Sequence, residues 1–76
     1  MKAIYYEETE LCKKLNISYD DYNQIKECLV NESILEYFID REEFIRKYEY
    51  NYDRKIFDEI FEFLKSKDIV LEKEDN

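Results

Sequence analysis

A chain of 76 residues with neither glycine nor proline lacks the two residues that turn a backbone most readily. Glycine enters positive φ without steric cost, and helix ends and tight hairpins draw on that freedom. Proline presets the first corner of many turns. Without them an all-β fold rich in hairpins is disfavoured. Left-handed helix caps must be few or built on asparagine. Helices remain, and the 42% of charged residues reads as their solvated surface around a narrow core. A domain this small buries only about 60% of its unfolded surface, so its core must be made of large side chains. Eight Tyr and five Phe supply them.

The stretch ELCKKLNISYDDYNQIKECL, residues 10–29, shows the pattern. Leu11, Cys12, Leu15 and Ile17 fall at helical spacing, the period breaks near Asn16 and Ser18, and it resumes with Tyr22, Ile25, Cys28 and Leu29. Residues 1–6 are expected to pack as a lead-in. Glu7, Glu8 and Glu10 then mark the start of a first helix and Lys13 and Lys14 its end, the order that the helix dipole favours. Asn16 takes the left-handed turn. Ser18 opens a capping box with Asp21. The second helix runs to about residue 31, with Tyr22, Ile25 and Leu29 inward, Cys28 beside them, and Lys26 and Glu27 outward. Residues 32–39 suit either a helix end or a short extended piece.

Asp40, with Glu43 three residues on, caps a short third helix from Arg41 to about Tyr48 that buries Phe44 and Ile45. Residues 49–52 form a joint, and Asn51 or Asp53 caps a last helix over residues 53–67. Its stripe of Ile56, Phe57, Ile60, Phe61, Phe63 and Leu64 is the broadest in the chain. Ile69, Val70 and Leu71 are apolar and largely β-branched, suited to run extended against residues 37–39, and residues 72–76 read as a solvated tail. The expectation is an all-α small helical bundle of about four to five helices with a helix-turn-helix, winged-helix-like core. That core draws on Leu11, Cys12, Leu15, Tyr22, Ile25, Leu29, Phe44, Ile60, Phe61 and Leu64.

Twelve basic against twenty acidic residues leave a net charge of −8, which repels polyanions at long range. This argues against a domain devoted to generic DNA or membrane binding, and it suits solubility or a partner with basic patches, such as histones. Cys12 and Cys28 lie on the apolar stripes and read as free structural thiols, although the sequence leaves a disulfide open. With two thiols and no histidine, one chain cannot close a four-ligand zinc site of Cys and His, and no metal or cofactor is expected. No apolar run reaches membrane-spanning length, and the N-terminus lacks a signal-peptide core. Neighbouring carboxylates such as Glu42 with Glu43 or Asp58 with Glu59 have no histidine or glycine-rich loop beside them, so no catalytic group is expected.

Leu11-Cys12, Leu15, Ile17, Tyr22, Ile25-Lys26, Leu29 and Glu32 resemble the first half of a SWIRM domain. The nearest likeness is the SWIRM domain at the C-terminal end of Ada-type transcriptional adaptors, in which a Leu-Cys pair precedes spaced Tyr, Lys, Leu and Glu. Ile60-Phe61-Glu62-Phe63-Leu64, followed by Ile69, is similar to that family's closing helix, so the likeness covers roughly residues 9–71. It implies a non-enzymatic domain of a nuclear adaptor in a histone acetyltransferase complex, a monomer when isolated, cut from the C-terminal part of a longer protein. It also implies a DNA or nucleosome contact by the last two helices, carried here by Arg54, Lys55, Lys65 and Lys67.

The chain departs from the family at three places. Asp58 and Glu59 follow the basic pair Arg54-Lys55, the family's middle-loop glycine is replaced somewhere within residues 33–38, and Asp68 stands where a glycine follows the last helix. DNA binding is therefore expected to be weak at most. The acidic ending also resembles the close of the N-terminal region of bacterial primary sigma factors, a DNA mimic in RNA polymerase. That region lacks the Leu-Cys, Tyr, Lys and Glu pattern.

Overall fold

The computed structural model describes residues 2–48 and 53–74. Four helices and two short strands occur among them, in the order α1 (Lys2–Leu15), α2 (Tyr19–Glu36), β1 (Phe38–Ile39), α3 (Arg41–Tyr48), α4 (Arg54–Ser66) and β2 (Leu71–Glu72). The fold is a small all-α bundle. The expected joint at residues 49–52, the alternative cap Asn51 and the last two tail residues lie outside the described residues.

The ends of α1 and α4 show how a chain without glycine terminates a helix. At the end of α1 the Ile17 N–H donates to the Cys12 carbonyl at 3.1 Å and the Asn16 N–H to the Lys13 carbonyl at 3.2 Å. At the end of α4 the Ile69 N–H donates to Leu64 at 2.9 Å and the Asp68 N–H to Lys65 at 3.1 Å. Both are Schellman motifs, with Asn16 (φ 59°) and Asp68 (φ 61°) in the left-handed position that glycine usually fills. Ile17 and Ile69, one residue further on, pack against the core as that motif favours. A third positive φ falls on Tyr37 (φ 66°) after α2, so asparagine supplies only one of the three such positions among the described residues.

Helix starts follow local chemistry. Ser18 Oγ accepts from the Asp21 N–H at 3.0 Å, and Asp40 Oδ1 accepts from the Glu43 N–H at 3.3 Å, which fixes the first turns of α2 and α3 as the sequence indicates. Asp53 occupies the N-cap of α4 with extended backbone but makes no side-chain cap bond. Two boundaries differ from expectation. α1 begins at Lys2, so Glu7, Glu8 and Glu10 lie in its interior rather than its first turn. α2 continues to Glu36, because no glycine or proline stops it and each added residue contributes one backbone bond.

The β1 and β2 strands pair in parallel, Phe38 with Leu71 and Ile39 with Glu72, as the apolar pieces suggested. Parallel strands need a crossover, and α3 with α4 provides it. β1 packs on α2, and the Lys73 N–H adds a bond to the Ile39 carbonyl at 2.8 Å. The expected tail from residue 72 is therefore not free at its start, since Glu72 is paired in β2 and Lys73 bonds to Ile39.

The core is built on α2 and α4, which pack together. Tyr22, Leu29, Ile60 and Leu64 are fully buried, and Cys12, Ile25, Phe44 and Phe61 join them as expected. Ile39, Ile45, Phe57 and Val70 complete the core. Each such apolar side chain contributes about 1.5–3 kcal/mol on burial. Leu11 and Leu15 are only half-buried, because α1 packs chiefly on α2 and lies at the margin of the core. Cys28 is half-buried as well. Both cysteines are free.

Glu8 is the exception inside this core, 3% exposed. Its carboxylate accepts from the Tyr22 hydroxyl at 2.6 Å and from Lys26 Nζ at 2.7 Å, and so joins α1 to α2. Lys26, expected to face outward, is drawn in by this charge, because a buried carboxylate must be paired and hydrogen-bonded. Burial, then the hydrogen bond to Glu8, pushes the Tyr22 phenol far above its usual range. Burial, with Glu8 nearby, raises the Cys12 thiol too, which keeps it protonated and unreactive. Glu8 is one helical turn before Cys12 and on the same stripe. The periodicity would have placed it inward had the helix been started before residue 7.

Candidate functional site on the last helix

The four cations marked as DNA contacts all sit at the ends of α4. Arg54 and Lys55 open it, while Lys65 and Lys67 close it, and eleven residues of helical rise separate Arg54 from Lys65 by roughly 16 Å. They form two separate pairs, not one cluster.

Arg54 is committed to carboxylates. Its Nη1 donates to Glu42 Oε1 at 2.9 Å and its Nη2 to Glu42 Oε2, a two-pronged pair across α3 and α4. Its Nε reaches Asp58 Oδ2 at 3.3 Å. The hydrogen bonds it donates to Glu42 lead the upward shift of the guanidinium, and Arg54 in turn holds the Glu42 carboxyl below its ordinary value. Both side chains are at least half exposed, so solvent screens this pair. Lys65 Nζ donates to Glu72 Oε1 at 2.8 Å, which raises the ammonium and depresses the carboxyl. Lys67 pairs with Glu7 of α1 and lies 5.7 Å from the centre of the Phe63 ring. Lys55 is exposed, and among the described residues it makes no ion pair.

The sequence reading missed Arg41, the hub of this region. Its guanidinium pairs with Asp58 Oδ1 at 3.4 Å, with Glu62, and with Glu72 Oε1 at 3.0 Å. It also lies 4.5 Å from the centre of the Phe61 ring, a cation–π stack on the core. Its side chain is only 17% exposed, and its Nε is buried with no partner among the described residues. As the first residue of α3, Arg41 was legible only as a helix start. Its partners come from α4 and β2, up to 31 residues away.

The carboxylates between the two ends of α4 are thereby neutralised in place. Asp58 serves both arginines, Glu62 serves Arg41, and Glu59 meets Lys14 of α1 at 3.4 Å. Two cations on other helices are similarly engaged: Lys13 lies 3.4 Å from Glu10, and Lys47 lies 3.9 Å from Glu32. A phosphate approaching this face would have to displace a carboxylate from Arg54, Lys65 or Lys67.

The residues that carry the resemblance sit in structural places. Cys12, Tyr22, Ile25 and Leu29 are core, Leu11, Leu15 and Ile17 pack against it, and Lys26 and Glu32 are held in ion pairs with other helices. Among the described residues no group of three or more His, Cys, Asp or Glu is placed to hold a metal ion, and no helix is long and apolar enough to cross a membrane. Comparison with family models, with curated proteins and with solved structures gives no match to this chain.

Proposed function

We propose that this chain is a SWIRM-type domain of a transcriptional adaptor, a non-enzymatic nuclear module that works through protein contacts in a histone acetyltransferase complex and touches duplex DNA or the nucleosome weakly at most. The carrying observation is the charge compensation of α4: Arg54, Lys65 and Lys67 are each engaged by a carboxylate of the domain itself. The helix order adds support, with α3 and α4 in helix-turn-helix sequence behind an α1–α2 pair. So do the positive φ values at Asp68, where the resemblance puts a glycine, and at Tyr37, inside the stretch 33–38 in which it puts another.

A pull-down from native extract with this domain as bait tests the reading. Recovery of acetyltransferase-complex subunits supports it. Recovery of RNA polymerase instead would favour the acidic sigma-factor region, which the net charge of −8 also suits. Titration with duplex DNA at physiological salt separates the two roles of the adaptor reading. Affinity no tighter than about 10⁻⁴ to 10⁻⁶ M is expected, with a shallow salt slope. Replacing Arg54 and Lys55 with alanine should remove what binding there is. Sub-micromolar affinity would overturn the protein-facing assignment.

A further inference from the structure

Among the described residues, four of the six exposed large apolar side chains fall in one five-residue run at the end of α2. Ile34 is 76% exposed, Leu35 79%, Tyr37 63% and Phe38 48%. Such a run on a domain surface is disfavoured unless it meets something. The run is also held in a fixed form. The Tyr37 N–H still donates to the Ser33 carbonyl at 2.8 Å, while the Tyr37 backbone turns to φ 66°, ψ −59°. A bulky aromatic rarely adopts that region, and the turn stacks the Tyr37 and Phe38 rings edge to face, 4.7 Å apart.

Phe38 also lines a cleft of about 220 Å³ together with Phe44 and the carboxylates of Glu32, Glu36, Asp40 and Glu43. Lys47 and Lys73 border it too, so carboxylates outnumber ammonium groups four to two. Lys47 already lies 3.9 Å from Glu32. The surface is therefore an apolar ridge beside an acidic cleft.

We propose that the ridge at residues 34–38 and the adjoining cleft form a docking surface for a basic, amphipathic segment of another protein. Apolar side chains of the segment cover Ile34, Leu35, Tyr37 and Phe38, and its Lys or Arg residues meet Glu36, Asp40 and Glu43. Charge selects this occupant over the alternatives. A second copy would bring the same carboxylates face to face, and an anionic lipid surface would be repelled by the cleft. The surface shares no residue with the α4 cations, so it stands whether or not the adaptor reading holds.

Calorimetric titration of the full 76-residue chain with a synthetic helical leucine–lysine peptide tests this. Polylysine and a leucine–glutamate peptide serve as comparisons. The leucine–lysine peptide should bind, shifting the backbone amide signals of residues 34–38, polylysine should bind more weakly, and the leucine–glutamate peptide not at all. Replacing Ile34 and Leu35 with serine should weaken binding about tenfold or more without lowering the melting temperature. Glu36→Gln with Glu43→Gln should weaken it several-fold and flatten its salt dependence. Asp20→Asn, at the opposite end of α2, should change nothing. Unchanged binding by the serine variant would overturn the proposal, as would equal binding of the leucine–glutamate peptide. A dimer in sedimentation that the serine variant abolishes would assign the face to a second copy. A large fall in the serine variant's melting temperature would show that these side chains stabilise the fold and are not a free ridge.

Discussion

The α1–α2 pair and the α3–α4 pair are each joined by a carboxylate and a cation, yet the two joints differ in kind. Between α1 and α2, Glu8 is sealed from water and holds Tyr22 and Lys26 within 2.7 Å. Between α3 and α4, Glu42 and Arg54 meet in the open. Burial makes the first joint costly to break, because removal of one partner strands a charge in the interior. Exposure makes the second one exchangeable, because water and salt replace either partner. The first half of the molecule is thereby a brace. The Glu42–Arg54 pair of the second half is open to exchange, while that half's cohesion rests chiefly on apolar contacts, with the largely buried Arg41 stacked on Phe61 and tied to α4 and β2.

Phe61→Ala tests that last statement and should have the largest effect. Phe61 is 1% exposed in the α4 core and carries Arg41 on its ring, so a loss of about 3–5 kcal/mol is expected by urea unfolding. A loss below about 1 kcal/mol would mean that charge pairs, not packing, hold this half together. Lys26→Met comes next, at about 2–4 kcal/mol, below the full buried-pair penalty because Lys26 keeps a quarter of its exposure and Tyr22 still donates to Glu8. Arg54→Ala is the matched control in the other half and should leave the melting temperature unchanged within error. If the two substitutions behave alike, the contrast between the joints fails.

pH sharpens the comparison, because the halves should fail at opposite ends. Glu72, held by Lys65 and then Arg41, has a carboxyl depressed from its ordinary 4.5. A depressed folded value adds stability above the unfolded value, and that stability is lost as pH falls through the folded one. Glu72→Gln should therefore flatten the stability curve below about pH 4.5. Tyr22 is raised, so its contribution is complete below the unfolded phenol value of about 10 and fades as pH rises beyond it. Tyr22→Phe should remove that alkaline slope. Unchanged slopes in the two variants would separate the titrations from these residues.

The smallest expected effect is a gain. Tyr37→Gly should relieve the positive-φ strain, partly offset by extra freedom in the unfolded chain, for a net stabilisation of about 1 kcal/mol. The same variant should bind the leucine–lysine peptide less well. A gain in stability with no loss of binding would leave the Tyr37 ring outside the docking surface.

Much of the fold was legible because its signals are local. The Ser18 and Asp40 caps, the left-handed Asn16, the bounds of α3 and α4, and the affinity of residues 69–71 for residues 37–39 all follow from near-neighbour chemistry. The start of α1 was missed because the acidic cluster at residues 7–10 imitates a first turn. The end of α2 was missed because its last turn carries Ile34 and Leu35 on solvent, where hydrophobic periodicity reports nothing. In the candidate site, the sequence named four cations on α4 but not Arg41.

By itself the sequence determined an acidic helical domain, its caps, and the stripes that make the core, since each depends on residues within a turn or two of one another. Only the tertiary structure decided that Glu8 and Lys26 belong inside, that Arg41 ties α3 to α4 and β2, and that Arg54, Lys65 and Lys67 are already engaged. Those pairings join residues 12 to 60 positions apart, apart from the seven between Lys65 and Glu72. A charge's partner, and the water it keeps or loses, are set by which helix faces meet, and no local pattern encodes that meeting.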